Sequence, residues 1–123
     1  MPVASSTCLP TNAITVSIWY KSSAGTTRFL SCTEGGGWNF EVSSSKASFP
    51  FYIRGKGYGR ITSTKNFYSD NQWHMITVTY DGINTGKWYW DGVLDNTITI
   101  TSGWENLPIA YNTNTPLTLG AEA

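Results

Sequence analysis

Trp73–Gly92, WHMITVTYDGINTGKWYWDG, decides how the rest of the chain is read. The run Trp73–Tyr80 is followed by Asp81-Gly82, and the aromatic run Trp88-Tyr89-Trp90 runs into a second Asp-Gly at Asp91-Gly92, with Val93-Leu94 returning. Asp-Gly between apolar runs is hairpin punctuation, because both residues accept the left-handed backbone a tight turn needs. Within Trp73–Tyr80 the residues His74, Ile76, Val78 and Tyr80 alternate with Trp73, Met75, Thr77 and Thr79. One face is apolar and the other mixed, as a strand in a layered sheet requires.

Working outward, Ile14–Tyr20 alternates in the same way, with Ile14, Val16 and Ile18 on one face and Thr15, Ser17 and Trp19 on the other. Ser22–Thr26 reads as a turn, Thr27–Cys32 as a strand, Thr33–Gly37 as a glycine loop and Trp38–Val42 as the returning strand. Ser43–Ser48 is a serine-rich loop before Phe49–Arg54, where Pro50 is tolerated near a strand start. Gly55, Gly57 and Gly59 interleave with Lys56, Tyr58 and Arg60 in a bulged strand leading to Ile61, and Thr62–Gln72 is loop-like. Thr97–Thr101 is the next strand, and Ser102–Thr115 is a long polar connection. No helical periodicity and no repeat occurs. Short strands with regular turns predict an all-β fold, an antiparallel two-sheet β-sandwich.

The 123 residues fit one domain, 1–123, with a single core. Lys+Arg 8 balances Asp+Glu 8 and only 13% of residues are charged, so nothing in the composition attracts nucleic acid or an anionic membrane. No window is apolar enough for a membrane span, and no signal-peptide pattern opens the segment. Cys8 and Cys32 can pair if their strands are neighbours, although buried thiols are as ordinary an explanation.

The order W-H-x-I-x-V-x-Y-D-G, then W-Y-W-D-G-V-L, then Pro116-Leu-Thr-Leu-Gly120 resembles the laminin-G-like branch of the concanavalin A-like lectin/glucanase superfamily. Upstream, Leu9-Pro10, Ile14–Trp19, Arg28–Ser31 and Gly36-Gly37-Trp38 extend the likeness, which covers Leu9 to Gly120. The resemblance implies the jelly-roll form of the sandwich. Two departures are a missing strand before Leu9-Pro10 and a missing strand after Leu117–Gly120, so the chain reads as a shortened member or a segment of a larger protein. The missing last strand would leave an open sheet edge, closed by a second copy, by a partner's strand, or by Met1–Cys8. An oligomer is the expected outcome, because Met1–Cys8 is poor in β-branched and aromatic residues.

Glucanases of this superfamily would be implied by Glu-x-Asp-x-x-Glu on one strand, the paired carboxylates of glycoside hydrolysis. Glu34, Glu41, Glu105 and Glu122 are isolated instead, and nucleophile, metal-spacing and phosphate-loop motifs are absent from the sequence. Catalysis is not expected. The single His74 reads as a hydrogen-bonded structural imidazole. Asp81, Asn84, Asp91 and Asp95 supply oxygens near two turns, and relatives of this fold hold Ca²⁺ at such edges, but Asx residues also initiate turns by themselves. No cofactor or metal is therefore assigned. Arg54, Lys56, Arg60 and Lys65 with Tyr58 form a basic-aromatic cluster, read as a solvated edge strand.

Of the six tryptophans, Trp19, Trp73 and one of Trp88 or Trp90 are assigned to the core by size. Trp38 follows a glycine loop, and Trp104 and Tyr111 lie in an asparagine-rich connection. Flat rings beside amides and carboxylates make a sugar-binding surface, so Trp104, Glu105, Asn106, Tyr111, Asn112, Trp38 and Tyr58 are the candidate ligand-binding residues. The expected function is a non-catalytic recognition module that binds carbohydrate or another surface ligand through loops at one end, on an extracellular, cell or virion surface. The rival reading is a structural or assembly domain of a virion, phage or cell-surface protein.

Overall fold

The computed structural model describes residues 9–23, 28–33, 35–111 and 116–120, with the backbone of 2–3. Among them are ten strands and no helix: β1 Pro2–Val3, β2 Ile14–Lys21, β3 Arg28–Cys32, β4 Trp38–Ser43, β5 Lys46–Ile53, β6 Gly57–Asn66, β7 Trp73–Tyr80, β8 Thr85–Trp90, β9 Val93–Thr99 and β10 Leu117–Leu119. They form a six-stranded sheet, β1-β10-β3-β4-β5-β6, facing a four-stranded one, β2-β7-β8-β9. All pairing is antiparallel. The signature segment is the β7–β8 hairpin, and Asp91 and Gly92 turn the chain into β9 with φ of 48° and 81°. That is the left-handed backbone that an Asp-Gly turn favours.

The even-numbered residues of β7 and β8 face inward, where Ile76, Val78, Tyr80, Trp88 and Trp90 are buried. The opposing sheet supplies Trp38, Phe40, Phe49, Phe51, Ile53 and Ile61. Rings meet across the gap: Phe40 against Trp88 at 5.2 Å and Phe51 stacked on Tyr80 at 4.6 Å. Aromatic pairs of this kind add directionality to the burial of large apolar areas. At Gly86 a Cβ would lie 2.3 Å from Ile61 Cδ1, so the isoleucine occupies the space that the glycine leaves.

Several boundaries differ from the sequence reading. The serine-rich segment is a tight turn at Ser44 and Ser45, whose φ of 50° and 66° reverse the chain directly into β5 at Lys46. β6 does not end at Ile61 but continues to Asn66, since its polar outward residues still pair with β5. β9 begins at Val93 and ends at Thr99. Trp88 and Trp90 are both core, while Trp19 and Trp73 are 64% and 63% exposed, so their assignment to the core is corrected. Both are odd-numbered on strands whose even residues point inward, and alternation overrides size.

Two bulges meet where the sheets' edges approach. The β8–β9 register shifts after Trp88, which leaves Asp95 as the extra residue, and β5–β6 shifts beside Ser63–Lys65. The Asp95 carboxylate accepts from Thr64 N at 2.7 Å, Thr64 Oγ1 at 2.7 Å and Lys65 N at 3.3 Å. Asn96 Nδ2 donates to Thr62 O at 3.1 Å. A bulge re-aims a side chain and frees amides from the ladder; here one strand's bulge supplies the acceptor for the other's amides. Across the molecule, Pro2 and Val3 pair with Thr118 and Leu117, so β1 lies along β10.

Candidate functional site

Residues 9–13, 35–37, 54–56, 81–84 and 100–111 gather at one end of the sandwich. Gly37 N donates to Ala110 O, Ala110 N to Tyr52 O, Ile109 N to Thr11 O, and Asn106 N to Ile83 O. The long connection is thereby sewn down along β5 and the β7–β8 turn. Trp104 is half-buried against the core, its ring end near Gly57, and Glu105 accepts from Gly103 N at 2.7 Å. Asn106 is exposed with a φ of 59°. Tyr111 donates its hydroxyl to Pro10 O at 2.6 Å, and Arg54 donates to Tyr111 O at 3.4 Å.

Of the expected ligand residues, Trp104, Glu105, Asn106 and Tyr111 share this end of the fold. Tyr58 is exposed but sits with Tyr52 on the outer face of the six-stranded sheet; Gly57, which Trp104 approaches, points the other way. Trp38 is a correction: it is 4% exposed and packed against Phe49 at 5.5 Å, because β4 starts at this residue with its inward face. Asn112 lies outside the described residues, as does Cys8, while Cys32 is buried.

The carboxylates weighed as calcium ligands are anchored at separate places in the fold. Asp81 Oδ1 accepts from the amides of Ile83, Asn84 and Thr85 at 2.8 to 2.9 Å, closing the β7–β8 turn. Burial works against its ionisation, yet these amides hold its carboxyl below the usual range. Asp91 stands at the opposite end of β8, where it accepts from Met75 N at 2.8 Å and from His74 Nδ1 at 2.8 Å. Asp70 receives His74 Nε2 at 3.1 Å, and the ring stacks on Tyr68 at 4.4 Å. Hydrogen bonding to Asp91 raises the His74 pKa above 6.5, and bonding to His74 lowers both aspartates. His74 is thus a tie between strand and loop, as expected of a structural imidazole. Glu41 joins Arg28 and Arg60, each at 3.2 Å, on the outer face of the six-stranded sheet, and does not share an element with Glu105.

The outer face of the four-stranded sheet is where size-based reasoning missed a surface. An open groove of about 420 Å³ lies beside the loop end, lined by Ala13, Thr15, Thr79, Asp81, Lys87 and Tyr89 among others. It combines hydroxyls, a carboxylate, an ammonium and the partly exposed Tyr89. Further along the same face Trp19 lies opposite Met75, Trp73 is its diagonal neighbour, and Tyr89 lies opposite Leu94. The odd-numbered positions of β2, β7 and β8, already visible in the alternation, are the signal that marks this face.

Known proteins agree with the architecture. A laminin G family model described as the concanavalin A-like lectin/glucanases superfamily matches residues 2–123. No curated protein matches the chain in sequence. Among solved structures, mouse laminin alpha1 domains LG4-5 align at 17% identity with a TM-score of 0.69, over 94% of this chain and 31% of that one. The binding domain of Paraclostridial Mosquitocidal Protein 1 aligns at 12% identity and TM-score 0.63, over 94% of this chain and 32% of that one. The binding domain of Botulinum Neurotoxin DC in complex with SialylT aligns at 16% and 0.64, over 88% and 27%. The chain spans less than a third of each of those structures. With antiparallel strands in two facing sheets among its described residues and a family match along almost its whole length, the chain belongs to the laminin G branch of the concanavalin A-like lectin/glucanases superfamily.

Proposed function

We propose that the chain is a non-catalytic recognition module for carbohydrate on cell or extracellular surfaces, and that the groove on the outer face of the four-stranded sheet holds the sugar. The observation that carries this reading is the make-up of the groove. The Tyr89 ring offers an apolar plate for the C–H face of a sugar, while Thr15, Thr79, Asp81 and Lys87 surround it with donors and acceptors for hydroxyls. The turn amides already hold Asp81 in place, so binding orders little more of the site. Toxin binding domains and laminin LG domains on the same fold support a recognition role. No helix among the described residues is long and apolar enough to cross a membrane.

A glycan array probed with the parent, Tyr89→Ala, Lys87→Ala and Trp104→Ala tests the reading. Saturable binding lost in the Tyr89 and Lys87 variants and kept in the Trp104 variant is expected. Loss in Trp104→Ala alone would move the site to the loop end with Glu105, Asn106 and Tyr111. Binding to no member of the array, together with concentration-dependent oligomers in light scattering, would favour the assembly reading.

A further inference from the structure

Trp19 and Trp73 need a reason to be where they are. Each is about two-thirds exposed, on a sheet face otherwise made mostly of hydroxyl-bearing and charged residues. The β2–β7–β8–β9 registers place them on the same face as the groove. The row Thr15–Thr79–Lys87 lies at the groove, the next row is Ser17–Thr77–Tyr89–Leu94, the next Trp19–Met75, and the last Lys21–Trp73. From Thr79 to Trp73 the strand runs about 20 Å at roughly 3.3 Å per residue. Rings therefore recur in successive rows, staggered about β7: Tyr89 on β8 beside the Ser17 and Thr77 hydroxyls of its own row, then Trp19 on β2, then Trp73 on β7.

We infer that the binding site is not a single-sugar pocket but a strip, and that its ligand is a linear glycan chain lying along β7, with one end in the groove and its following sugars over Trp19 and Trp73. The inference rests on the carbohydrate reading of the groove and extends it to the length and shape of the ligand. Flat rings at intervals, with hydroxyls beside the first of them, match an extended chain whose sugars present apolar C–H faces at intervals and hydroxyls along their edges. A lipid-facing surface would instead need a continuous apolar patch. Here Ser17 Oγ and Thr77 Oγ1, 2.8 Å apart, share the row of Tyr89, and Lys87 and Lys21 stand in the outer rows, so polar groups occur in every row except that of Trp19 and Met75. Ser17 and Thr77 hold each other and so present a fixed polar step beside Tyr89, in the row before Trp19.

The test is a chain-length ladder. The intact chain is titrated with β-1,4-linked glucose, β-1,4-linked N-acetylglucosamine and polylactosamine series from monosaccharide to hexasaccharide, with tryptophan fluorescence and calorimetry as readouts. Affinity should rise with length and then level off. In Trp19→Ala/Trp73→Ala the long chains should bind about tenfold or more weakly, falling toward the short ones, as loss of two stacking rings implies. Both side chains lie outside the core, so an unchanged melting temperature certifies the variant as folded. Binding of disaccharide and hexasaccharide with equal affinity overturns the strip and leaves the groove standing. No binding in any series, with none on the array, removes the carbohydrate reading itself. Retention on phosphatidylcholine vesicles that disappears in the double variant overturns the inference in favour of a lipid-facing surface.

Discussion

A tryptophan's bulk argues for burial and its place in the alternation argues for a face; at Trp73 the two disagree and the alternation decides. Because the Trp73 ring is already in solvent, Trp73→Ala should change the unfolding free energy by no more than about 1 kcal/mol. Trp88, with no exposed surface and its ring against Phe40, is the contrasting case: Trp88→Ala should cost about 3 to 5 kcal/mol, read by denaturant titration. His74 makes the second prediction at this scale. Its folded pKa is raised above 6.5, so its stabilisation is complete below that value and is lost as pH rises through the higher folded one. Asp70 and Asp91 are lowered below 3.8, so theirs is present above that value and is lost as pH falls through the lower folded ones. Melting temperature should therefore decline on both the acid and the alkaline side. In His74→Gln the decline between neutral and mildly alkaline pH should flatten; an unaltered alkaline limb would show that the imidazole contributes nothing as a cation.

Among the elements, the β7–β8 hairpin was legible because its turn chemistry and its two-residue period agree, and Ser43–Ser48 was misread because a serine run looks like a loop. The chain turns there within Ser44 and Ser45, two non-glycine residues at positive φ, which composition does not announce. Gly86 was equally invisible. A glycine inside a strand reads as a weakness, whereas here it makes room for Ile61 from the facing sheet. Gly86→Ala should cost about 1 to 3 kcal/mol through overpacking. Ile61→Val, which removes the closest atom, should recover part of that loss in the double variant. Additive costs in the double-mutant cycle would mean that the two positions do not share the space.

For the whole molecule, the sheets are joined at one side by Asp95 as well as by the core. Asp95→Ala leaves the Thr64 and Lys65 amides without their carboxylate, and the cost should be about 1 kcal/mol, since the seam is exposed to water. Hydrogen exchange should quicken at Thr64 and Lys65 first; uniform exchange across the domain would mean that the seam has no local role. The sandwich and its superfamily could be read from motif order and alternation, which depend on local residues. The surface offered for recognition could not, because it depends on which rows of neighbouring strands come into register. Trp19 reaches Met75, and Tyr89 reaches Leu94, only after β2 and β9 have paired with the hairpin.

The uneven burial of the tryptophans has a spectroscopic use. Trp38, Trp88 and Trp90 are sealed in the interior, whereas Trp19 and Trp73 stand in water. With half-buried Trp104 between them, the domain therefore carries two contrasting optical populations without any label: a blue-shifted group beyond the reach of iodide and a red-shifted pair that iodide can quench. Shielding of the second group as a ligand arrives would report occupancy of the outer sheet, while the first group would lose its protection only when the domain comes apart.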